Sequence, residues 1–180
     1  MTAVFPFTPD HALALIRVVI GLLLVGHGTQ KLFGWWGGHG LQSFAGWLRS
    51  LGLPAPGVLA LFVALAETLG GLAFALGLLT PLAALAITAV MLGAIGIVHW
   101  SHGLWVTDNG FEYPLVLLAI AAAIGLAGPG AYALDTALRL ALPHQAIYLL
   151  GAVLELIGLA GLLALRQSKM AAQPAGTAGA

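Results

Sequence analysis

The sequence predicts an all-α fold, an integral membrane four-helix bundle with an additional C-terminal transmembrane helix. Three observations predict it. Apolar residues make up 61% of the 180-residue chain and charged residues only 7%, against about 25% charged in a soluble domain. A water-soluble globule of this size cannot hide so much apolar surface. The apolar residues fall into five segments at or near the ~20 residues that cross the hydrocarbon core. The breaks between segments carry turn and cap residues, such as Thr80-Pro81 and Gly128-Pro129-Gly130. The same composition excludes disorder, and a formal net charge of +0 leaves no basic excess for nucleic acid. With 0 cysteines the chain itself forms no disulfide, CxxC redox pair, thiolate nucleophile or iron–sulfur ligand.

In chain order, residues 1–12 form an N-terminal segment without Lys or Arg, so no cleaved signal peptide is read and the first apolar segment is expected to be retained. The first span covers about 13–33, with Asp10 as its expected N-cap. Residues 34–56 read as a Gly- and Trp-rich loop. The second and third spans cover about 57–79 and 81–100, and the run 68–98 holds no charge at all. Thr80 is the expected N-cap there, with Pro81 at the first helical position. The fourth span, 111–127, is the shortest. Between it and the last span, Leu134, Leu138 and Leu142 recur at i, i+4 and i+8, which predicts a short amphipathic helix over 131–142 lying in the interface. The fifth span, about 146–165, is interrupted only by Glu155 and has a small-residue face at Gly151, Gly158 and Gly161. The tail, 166–180, is expected to be disordered.

Span counting puts the loops 34–56 and 101–110 on one side of the membrane. All 5 tryptophans lie there or at its edge: Trp35, Trp36, Trp47, Trp100 and Trp105. Aromatic belts form at both interfaces, so a one-sided cluster marks this face as chemically distinct. Lys31, Arg49, Arg166 and Lys169 outnumber Arg139, which orients these loops and the C-terminus toward the cytoplasm.

Few polar residues fall within the spans. Glu67 sits in the middle of the second, where a carboxylate costs several kcal/mol unless paired or neutral. It reads as a proton-handling or ligand-binding group, or as a protonated acid joining two helices. His27 and Lys31 share one face of the first span at i, i+4. His99 ends the third span, and Glu112-Tyr113 begins the fourth. Together these six form a candidate functional polar cluster that converges only if the helices bundle. His99 and His102, at i, i+3, straddle an expected helix end, and no HxxxH or HxxE pair occurs on one helix, so no metal site is assigned. Arg17 and Asp135 fall at the opposite face and form a candidate structural ion pair. Glu155 reads as an acid packed against the bundle.

The motifs resemble the DoxX family of small multi-pass bacterial membrane proteins. The resemblance is carried by Gly26-His27-Gly28-Thr29-Gln30-Lys31-Leu32-Phe33-Gly34, by Glu67-Thr68-Leu69-Gly70-Gly71-Leu72 with Leu76-Gly77-Leu78-Leu79-Thr80-Pro81, by His99 with Gly103-Leu104-Trp105 and Gly110-Phe111-Glu112-Tyr113, and by Gly128-Pro129-Gly130 leading to Leu134-Asp135. It implies a DoxX-like transmembrane domain over 13–136, with 137–165 as an extension carrying the fifth span. It also implies the bacterial inner membrane, and candidate positions at Arg17, His27, Lys31, Glu67, His99, Glu112, Tyr113 and Asp135. Some members resemble subunits of membrane oxidoreductases, including a thiosulfate:quinone oxidoreductase, and others are linked to assemblies with soluble partners. The resemblance therefore points to an oxidoreductase subunit that binds quinone and acts with a soluble partner. A small proton-coupled transporter and a non-catalytic membrane anchor are the competing readings. No catalytic residue is assigned.

Overall fold

The computed structural model describes residues 7–172. Among them are seven α-helices and no strand: α1 Pro9–Phe33, α2 Gly40–Ser50, α3 Pro56–Leu76, α4 Thr80–His102, α5 Glu112–Ala127, α6 Leu134–Ala137 and α7 His144–Ala172. Two of them contain a wider π turn, Ala66–Gly70 in α3 and Ala94–His99 in α4. Helices α1, α3, α4 and α7 are long and apolar enough to cross a membrane. Their outward faces expose residues such as Leu22, Phe62, Leu82 and Leu154, as lipid contact requires. The chain is a multi-pass all-α membrane protein.

The helices α1, α3, α4, α5 and α7 alternate in direction. One end of the bundle therefore carries α2, the Trp-rich turn Trp35–Gly37 and the turn Val106–Asp108, and the other carries α6. A buried core of Leu24, Phe74, Ile87, Met91, Leu117 and Ile124 ties α1, α3, α4 and α5 together. Helix α7 joins this core through Tyr148, whose hydroxyl lies 3.0 Å from the Thr88 hydroxyl of α4. Of the small-residue face expected on α7, Gly151 packs on Leu85, while nothing lies within 4 Å of a Cβ at Gly158 or Gly161.

Helices α1 and α3 meet backbone to backbone. A Cβ at Gly71 would sit 2.7 Å from the Gly21 carbonyl oxygen, and one at Gly28 would collide with Thr68. Small residues permit this approach, which lipid-embedded helices use in place of hydrophobic driving force. It also fixes the register that decides which side chains of α1 face α3.

The end bearing α6 is closed by charges bound to backbone. Arg17, 1% exposed, donates to the carbonyls of Pro129 and, at 2.5 Å, Tyr132. Asp135, also 1% exposed, accepts from the backbone N–H of Leu79 at 2.7 Å and Thr80 at 2.8 Å. The expected Arg17–Asp135 ion pair is therefore not formed as a contact: each charge binds main-chain groups of the segment beside it. The two still lie at one corner, since Asp135 N–H reaches Gly77 O at 2.9 Å and the Arg17 guanidinium fills the space a Cβ at Gly77 would need. Gly77 has φ +64° and Leu79 φ +47°. This left-handed pair reverses the chain between α3 and α4, the tight connection that the apolar run demanded.

Several local expectations are corrected. Thr80 is not the N-cap of α4. It is the first helical residue, its hydroxyl has no partner, and Asp135 supplies the acceptor from elsewhere in the chain. Asp10 does not cap α1 either. Thr8 is the N-cap, and Asp10 accepts from Ala131 N–H at 2.9 Å. The amphipathic helix expected over 131–142 is reduced to the four residues of α6, because Arg139 at φ +54° ends the turn. The loop 34–56 contains an unforeseen helix, α2. The expected disordered tail is helical as far as Ala172, and residues 173–180 lie outside the described residues.

The Asp135 cap generates a stability prediction. Asp135→Ala leaves the buried Thr80 N–H and the part-buried Leu79 N–H at a helix start without an acceptor, so it should lower unfolding free energy by about 1–3 kcal/mol, chiefly through Thr80. Thermal unfolding in detergent measures this, and an unchanged melting temperature would contradict the cap.

Candidate functional site

At the Trp-bearing end, the last turn of α1 faces the π turn of α3. The glycine contact sets α1 close enough that Lys31, although at the end of its helix, turns inward to Glu67 instead of outward to the interface. Lys31 Nζ lies 2.5 Å from Glu67 Oε2, and the side chains are 23% and 6% exposed. This is the salt bridge found among the described residues. The π turn widens α3 at Ala66–Gly70. Such turns recur at functional sites, where one extra residue re-aims the side chains of the succeeding turn. The second π turn, in α4, ends at His99.

The pair borders an apolar cavity of about 390 Å³. His27, Lys31, Glu67, His99 and Tyr113 all line it, so five of the six cluster residues converge. The Tyr113 hydroxyl lies 3.5 Å from His27 Nε2. His99 Nδ1 is 2.6 Å from the Asn109 carbonyl, which ties the end of α4 to the adjoining loop and orients the ring. Glu112 does not join them. Its carboxylate accepts from Val106 N–H at 2.9 Å and so braces the loop before α5.

Two contributors escaped the sequence reading. Helix α2 lays Phe44, Trp47 and Leu48 along the cavity, and Lys31 Nζ sits 5.5 Å from the Phe44 ring centroid. A signal for it existed, because Leu41, Phe44, Ala45 and Leu48 keep the i, i+3, i+4, i+7 helical period. The other, Glu155 of α7, reads in the sequence as an acid packed against the bundle and outside the cluster, and it lines the same cavity. Among the described residues no three His, Asp or Glu side chains gather closely enough to hold a metal ion. The cavity is lined by apolar walls, an ammonium, two separate carboxyl groups, two imidazoles and a phenol. Its volume lies within the roughly 300–1,000 Å³ of small-molecule sites.

The ion pair supplies a second prediction. Removing one partner of a buried pair costs about 3–5 kcal/mol. Partial exposure of Lys31 puts Lys31→Met near the lower end. The double variant Lys31→Met/Glu67→Gln should recover more than half of that loss, since no uncompensated charge remains. Denaturant unfolding in micelles measures the cycle, and a double variant no more stable than Lys31→Met would contradict pairing.

No curated protein and no solved structure matches the chain. A family model described as DoxX matches residues 12–100, which span α1 to the end of α4 and bring Lys31, Glu67 and His99 together, while α5, α6 and α7 lie beyond it. The fold and this match identify the chain as a multi-pass membrane protein of the DoxX family.

Proposed function

We propose that the chain is the membrane subunit of a quinone-linked oxidoreductase and that its cavity binds the quinone ring. The observation that carries this reading is an ion pair set into the wall of an otherwise apolar cavity of about 390 Å³. An ammonium carries three donors. One goes to Glu67, and the others have no protein acceptor among the described residues, so Lys31 is free to donate to a carbonyl oxygen of the ligand. His27 and Tyr113 add donors beside it.

Reduction of a quinone to its quinol consumes two electrons and two protons. Glu67, Lys31 and His27 are the groups placed to pass protons to the quinone oxygens. The chain has no cysteine, and in this reading the electrons come from a soluble oxidoreductase that docks at the Trp-rimmed end. Exposed Trp36, Trp100 and Trp105 offer it a surface. The bacterial inner membrane, with this end in the cytoplasm, completes the assignment.

Binding of decylubiquinone to the detergent-solubilised protein, measured by calorimetry, tests the reading. Saturable binding is expected, weakened about tenfold in Lys31→Met/Glu67→Gln, since hydrogen bonds to charged groups contribute about 1.5–3 kcal/mol. Mass spectrometry of lipid extracts should show co-purifying quinone. No saturable binding and no co-purifying quinone would overturn it.

A further inference from the structure

Glu155 belongs to α7, outside the matched residues 12–100. Its depth in the bundle is set by its neighbours along α4. Gly151, one turn earlier on α7, packs on Leu85, and Leu159, one turn later, packs on Gly96. Glu155 thus lies level with about the midpoint of that stretch, beside Val90 and Met91. Glu67 reaches the same level from another wall. Gly70 of α3 packs on Ala86 of α4, and the two helices run antiparallel, so Glu67, about one turn back along α3, also faces the Val90 region. Val90, Met91, Glu67 and Glu155 all line the one cavity.

The two acids differ in what they hold. Glu67 is paired with Lys31. Glu155 Oε2 is buried with no hydrogen-bond partner. A buried polar atom left unpaired is costly and calls for an explanation, and here the atom belongs to a group that lines a ligand-sized space.

We propose that α7 completes the cavity as a two-ended polar site, in which Glu155, as the neutral carboxylic acid, donates to the far carbonyl of a ligand whose near carbonyl accepts from Lys31, itself held by Glu67. The ligand class is a flat, neutral, largely apolar ring with a hydrogen-bonding oxygen at each of two opposed positions. This rests on the quinone reading and sharpens it: the site recognises a para-dione through both carbonyls, and the second contact is supplied by the helix beyond the matched region. Glu155 is then a specificity-determining residue, because a ring with a single carbonyl leaves it unpartnered.

Two probes of one shape test this, 9,10-anthraquinone and anthrone, in which a methylene replaces the second carbonyl. Calorimetry on the full-length protein in detergent compares wild type with Glu155→Leu and Glu155→Gln. The wild type is expected to favour anthraquinone about tenfold. Glu155→Leu should abolish that preference by weakening anthraquinone alone, and Glu155→Gln, which keeps a hydrogen-bonding group of the same length, should retain most of it. Wild type that binds both probes equally, or Glu155→Leu that keeps the preference, overturns the two-ended site while leaving single-ended quinone binding standing. Wild type that binds neither anthraquinone nor decylubiquinone overturns both readings.

Discussion

An ammonium and a carboxylate inside a membrane bundle are tolerable only in each other's company, and that requirement governs how this molecule is assembled. Lys31 reaches Glu67 because α1 and α3 touch through their backbones at Gly21, Gly28 and Gly71. A side chain at any of these positions would separate the helices, and neither charge has a substitute partner among the described residues. The pair also stands in the wall of the neighbouring cavity. The glycine contact and the ion pair are thus successive consequences of one close approach.

The two ends of the bundle use charge in opposite ways. At the end bearing α6, Arg17, Asp10 and Asp135 bind backbone carbonyls and N–H groups and close the structure over itself. From mid-depth toward the other end, Lys31, Glu67, His27 and Glu155 face a cavity. A chain with so few charges has placed one set to lock main chain and another to line a cavity.

How far this was legible depends on the physics behind each feature. The spans could be read because hydrocarbon thickness imposes a length, and most of the cavity residues because a charge or imidazole in an apolar segment is conspicuous. That His27, Lys31, Glu67, His99 and Tyr113 share one space is a result of antiparallel packing of adjacent spans. Partnerships were less legible. Asp135 stands near Arg17, yet its carboxylate is met by Leu79 and Thr80 N–H groups more than fifty residues away in sequence, a pairing that no spacing rule encodes. Glu155 was visible as a charge, but the rotation of α7 about its axis, set by Gly151 on Leu85 and Tyr148 on Thr88, decides that it faces the cavity and not lipid. Helix α2 was hidden behind glycines and tryptophans that read as loop, although its apolar period was present.

Helix α5 has only 16 residues, about 24 Å of rise, where the hydrocarbon core measures about 30 Å. A short span is accommodated by drawing the bilayer surface inward around it. The dip falls at an end of α5, and one of those ends carries Glu112 and Tyr113, beside the cavity mouth. Thinning at that end brings the bilayer surface toward the polar lining. Headgroups and water drawn in there approach Tyr113 and His27, two of the residues that line the cavity.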